Sequence, residues 1–104
     1  MALLRHDIEL LLDLTTRRQD IKGGWWYKID AKEESAAPDG IHYSLTLHAP
    51  DGGRVLGYDN AHGWHHRHTA AGEERPYDFT TCDALIGKFF DDVDTHLCGI
   101  GVLP

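Results

Sequence analysis

The sequence predicts an α+β domain spanning residues 1–104. A small antiparallel sheet of three to four strands, built as a meander of hairpins, carries a C-terminal amphipathic helix on one face. Three observations predict it. Ile41, Tyr43, Leu45 and Leu47 alternate with His42, Ser44, Thr46 and His48, the period of a strand with one apolar face. Pro50-Asp51-Gly52-Gly53 is turn chemistry, and Arg54-Val55-Leu56-Gly57-Tyr58 returns beyond it as a hairpin partner. Leu85, Ile86, Phe89, Phe90, Val93 and Leu97 recur at helical spacing, with Gly99 as the stop.

The N-terminal segment reads two ways. Leu3, Leu4, Ile8, Leu11 and Leu12 fit a helical face, whereas Ile8, Leu10, Leu12 and Leu14 fit strand alternation. Thr15-Thr16 and the aromatic run that follows tip residues 3–14 towards strand. After Gly23-Gly24, the run Trp25-Trp26-Tyr27 with Ile29 reads as a second strand. Its two tryptophans point to opposite faces, one into the core and one outward. Residues 32–40 end in Pro38-Asp39-Gly40 and form a loop. Residues 60–78 hold few aliphatics and read as a long loop of the kind that carries function. Thr80 and Asp83 form a capping-box pattern for the helix, and Asp91, Asp92 and Asp94 form its solvated face.

Composition narrows the function classes. Ten Lys+Arg against 17 Asp+Glu give a net charge of −7, which argues against a broad nucleic-acid-coating surface but leaves room for one phosphodiester site. The longest apolar run is Leu10-Leu11-Leu12, far short of a membrane span. Cys82 and Cys98 flank the predicted helix about 24 Å apart, too far to bridge. With no secretory leader pattern, a reduced, cytoplasmic protein is expected. Signatures of serine hydrolases, P-loops, zincins and zinc fingers are missing from the sequence.

Chemistry concentrates in one tract. Four of the eight histidines, His62, His65, His66 and His68, fall between residues 62 and 68. In an extended chain His66 and His68 project to the same side, a spacing able to chelate an ion such as zinc with Asp59 and His62 as further ligands. The same pair could act without a cofactor, one imidazole taking a proton and the other giving one. Arg67 would supply a cation, although a strict strand turns it away from the histidines. Arg75 or Arg54 would then provide it from another segment. Tyr58 and Tyr77 are candidates to bond a phosphate oxygen or stack on a base. A solvated loop that happens to be rich in histidine is the plain alternative.

A longer pattern is more specific. Tyr58-Asp59-Asn60, Gly63, His65-His66-Arg67-His68, Gly72 and Pro76-Tyr77-x-Phe79-Thr80, with the preceding strand pair and the closing helix, resemble the TumE-type toxins of bacterial toxin–antitoxin systems over residues 41–97. The crowding of histidines departs from that pattern. The resemblance implies a growth-inhibiting toxin neutralised by an antitoxin, often one with a helix-turn-helix DNA-binding domain, and RNA cleavage as the expected activity. A second copy of the chain is a further expected partner. On this reading His66, His68, Arg67 and Tyr77 form the catalytic group of a metal-independent ribonuclease. Tyr58, Asp59, Asn60, Arg75 and His65 contact substrate. The alternatives are a metal-dependent enzyme and a non-enzymatic protein-binding module.

Overall fold

The structure, a computed structural model, describes residues 3–104. Helix α1 (Arg5–Asp13) is followed by six strands: β1 (Thr16–Asp20), β2 (Trp26–Glu33), β3 (Ile41–His48), β4 (Arg54–Asp59), β5 (His66–His68) and β6 (Glu74–Pro76). Helix α2 (Cys82–Gly99) closes the chain. Each strand pairs antiparallel with its neighbour in sequence, so the sheet is a meander in the order β1 to β6. The alternation at 41–48 and the hairpin to 54–59 lie where the sequence places them.

One face of the sheet is the core. Ile29, Ile41, Tyr43, Leu45, Leu47, Leu56 and Tyr58 meet Leu85, Phe89, Val93 and Leu97 of α2, with Leu11 of α1 completing the cluster. Phe89 and Phe90 set their rings edge-on to Tyr27, and Trp25 packs its ring against His96. Alternate positions of β3, from His42 to His48, stay half-exposed on the opposite face. Trp26 lies on that face with its ring parallel to His48 at 3.9 Å. The two tryptophans do therefore part to opposite faces.

Three expectations need correction. Residues 5–13 are helix, and the strand begins only at Thr16. Long-range contact decides this: Asp7, 7% exposed, accepts hydrogen bonds from the backbone N–H of Cys82 (2.7 Å) and Asp83 (3.0 Å). A carboxylate at a helix N-terminus satisfies orphan donors and faces the positive end of the dipole. The sheet has six strands and not three to four, because the supposed loop at 60–78 contains β5 and β6. They join through a turn in which Gly72, at φ 86°, donates to the carbonyl of Thr69. Finally, Thr81 caps α2, its hydroxyl accepting from Ala84 N at 3.1 Å, one residue later than the Thr80 pattern suggested.

Candidate active site

The open face holds a compact polar cluster. Antiparallel pairing sets Asp59 opposite His66 and Gly57 opposite His68, so both imidazoles converge on one carboxylate from the adjoining strand. His68 Nε2 lies 3.0 Å from Asp59 Oδ2, and His66 Nε2 contacts Oδ1. The backbone N–H of Ala61 donates to Oδ1 as well, fixing the carboxylate. The Arg54 guanidinium lies 3.4 Å from His68 Nδ1. Because arginine can only donate, Nδ1 is the acceptor there, and Nε2–H of neutral His68 donates to Asp59. Position 57 has to be glycine: a Cβ would sit 2.5 Å from the Leu45 carbonyl oxygen.

The two histidines differ in access. His68 is partly open to solvent, whereas His66 is 3% exposed and its Nδ1 has no hydrogen-bond partner among the described residues. Glu74 Oε1 stands 3.9 Å from that atom. Trp64 places its ring 4.5 Å from the His66 ring. One ligand atom each from Asp59, His66 and His68 lies within 4.8 Å of the others, a donor set of two imidazoles and a carboxylate suited to a divalent ion.

The remaining sequence candidates scatter. Tyr58 and Arg67 are paired in register on the core face and both reach Asp92 of α2: Arg67 at 3.0 Å, and Tyr58 by donating its hydroxyl. Asp92 is thus not part of a freely solvated helix face. Burial and the Asp92 carboxylate push the Tyr58 phenol well above its ordinary pKa. Tyr77 meets the Tyr58 ring edge-on at 4.9 Å, and burial raises its phenol too. Strand alternation therefore turns Tyr58 and Arg67 to the face opposite His66, yet Arg67 and His68 still meet along one pocket with Leu56, Asp92 and His96, whose lining does not include His66 or Tyr77.

Others have structural partners. Arg75 is exposed and paired with Glu73. The buried Asn60 amide accepts from Tyr43 N at 3.0 Å and donates to the Ile41 carbonyl at 2.7 Å, tying the end of β4 to β3. His65 bridges Tyr43 and Asp39, 2.8 Å from each, and stacks on Phe79. His62 stands apart at φ 65° in a 3-10 turn, beside His42 and Asn60, outside the Asp59 cluster. Trp64 went unnoticed in the sequence. Its signal was its parity with His66 and His68, two and four residues on.

A protein-family model described as Toxin TumE matches residues 13–97. The chain belongs to the TumE toxin family. No curated protein and no solved structure matches it. The TumE match is wider than the 41–97 pattern legible by eye. It runs from the last residue of α1 into α2 and takes in every residue of the Asp59 cluster. Membership makes this TumE-family chain a toxin component. Among the described residues, no helix is long and apolar enough to cross a membrane.

Proposed function

We propose that this toxin arrests growth as a ribonuclease and that the Asp59–His66–His68 cluster, with Arg54, is its active site. The observation that carries the reading is one carboxylate holding two imidazoles on an open sheet face, with a guanidinium beside the more exposed of them. Arg54 occupies His68 Nδ1 in the resting protein. An incoming phosphate competes for the guanidinium, because charge-assisted bonds to phosphate are the stronger kind. As Arg54 turns to the phosphate, His68 Nδ1 is freed to take the 2′-hydroxyl proton, and the 2′-oxygen attacks phosphorus. Asp59 holds the Nε2–H tautomer and stabilises the imidazolium formed. Arg54 balances charge building on the phosphorane. His66 is the second proton-transfer group, protonating the leaving 5′-oxygen once a local opening admits substrate. Arg54 replaces Arg67 and Arg75 as the cation, and Tyr58 and Tyr77 are left to packing.

The products would be a 2′,3′-cyclic phosphate and a 5′-hydroxyl end, formed without Mg²⁺. The partner would be an antitoxin with a helix-turn-helix domain. Inducible expression in bacteria, with and without the adjacent gene, tests the biology: growth arrest relieved by the neighbour is expected. End analysis of RNA incubated with purified toxin tests the chemistry. His68→Ala is expected to slow cleavage ~10²–10⁴-fold at unchanged melting temperature. Unaltered cleavage by the His66→Ala, His68→Ala double variant would remove the assignment.

The convergence of the same three donors favours one rival, a divalent metal centre in a metal-dependent toxin. Metal analysis of purified protein separates the two. Near-stoichiometric zinc, with melting temperature and cleavage both lowered by chelator, would establish the rival.

A further inference from the structure

The chain has three tryptophans, and their surroundings divide them. Trp25 packs on the core side against His96. The other two lie on the open face, Trp64 beside His66 and Trp26 beside His48. Trp64 is 41% exposed, one of the few large apolar side chains left in water, and it stands beside His66. Trp26 is stacked on His48 within 5° of parallel, and the Arg18 guanidinium lies 4.7 Å over its ring. Both ring nitrogens of His48 are engaged, Nδ1 3.0 Å from the Gly52 carbonyl oxygen and Nε2 2.9 Å from the Thr46 hydroxyl. Those two contacts fix it as a flat plate.

Register gives the layout. Trp26 pairs with His48, and His48 with Arg54; Thr46 pairs with Gly57, and Gly57 with His68. His48 and His68 are thus two strand spacings apart, about 10 Å, and offset by about 7 Å along the strands. Arg54 and His68, the groups placed to meet a phosphate, lie between the Trp26–His48 plate on one side and Trp64 on the other.

We propose that Trp64 and the face of His48 turned away from Trp26, which backs it, are base-stacking platforms that receive the nucleobases flanking the scissile phosphate of a single-stranded RNA. The proposal rests on the ribonuclease reading and names the form of its substrate. Aromatic rings stack unpaired bases and cannot reach bases inside a duplex, so the ligand is single-stranded. Stacking also resolves the charge difficulty. A chain of net charge −7 cannot gather RNA by many phosphate contacts, whereas stacking needs none. Trp64 then ties recognition to chemistry, because a base drawn onto its ring arrives next to His66.

The test is fluorescence anisotropy with a fluorescein-labelled, unstructured ten-nucleotide RNA and His68→Ala protein, which holds RNA without turning it over. Adding Trp64→Ala or Trp26→Ala is expected to weaken binding roughly 5–100-fold, while Trp64→Phe and Trp26→Phe stay within a few-fold. Trp64→Ala should melt at the parent temperature, its ring being exposed. Alanine variants that bind RNA as tightly as the parent would overturn the proposal. Stacking-dependent binding by a wild-type protein that leaves RNA uncut would sink the ribonuclease reading and leave the platforms standing. Absence of any RNA binding would sink both.

Discussion

Asp59 meets two imidazoles because a strand places one residue opposite its partner and its neighbours on alternating faces. That parity was legible: His66 and His68 fall to one side, Arg67 to the other. What Arg67 meets instead was not legible. Asp92 lies 34 residues from Tyr58 in a run of three similar aspartates, and only packing of α2 on the sheet selects it. The two cysteines show the same dependence on tertiary context. Both are free, but Cys82 is buried under the α2 N-terminus, and burial pushes its thiol up to about 12. Cys98 is exposed near the other end of the helix. A thiolate reagent at pH 8 is therefore expected to modify one cysteine in the native protein and two after denaturation. Mass spectrometry should find the native label on Cys98; rapid labelling of Cys82 would mean that the α2 N-terminus is loosely docked.

At the scale of elements, the secure ones were those whose apolar period is long. β3 and α2 each present four or more buried residues at a single period, so pattern alone defined them. α1 buries Asp7 and Leu11, too few to choose between a helix and a strand. β5 and β6 are three residues each, built from His, Arg, Glu and Pro, and they exist as strands by adding to an edge that β4 provides. Neither has a local signal of its own. The contact that defines α1 also gives a test of it. Asp7→Ala removes both acceptors for Cys82 N and Asp83 N inside the fold, and loss of such a cap costs about 1–2 kcal/mol. The variant should unfold at lower denaturant with an unchanged m-value. Asp7→Asn keeps one acceptor and should fall between the two. Full stability in Asp7→Ala would place α1 elsewhere.

Across the whole molecule, the acidic excess is unevenly divided. The two helices carry seven acidic residues against two Lys or Arg, which leaves ten against eight for the rest of the chain. The helices pack on the apolar face, so the sheet's open face looks away from most of the surplus negative charge. A fold that segregates charge in this way can hold an anionic strand locally while its overall field repels it at longer range. Salt then acts in a direction opposite to that seen with basic nucleases. The Debye length shrinks from about 30 Å at 0.01 M to about 8 Å at 0.15 M, which screens the distant helical carboxylates more than the contacts within the site. kcat/KM for a short single-stranded RNA is therefore expected to rise or stay level over that range, since few released counterions oppose it. A fall of tenfold or more over the same range would reveal an extended phosphate-binding surface and would move the RNA path off the open face between Trp64 and Trp26.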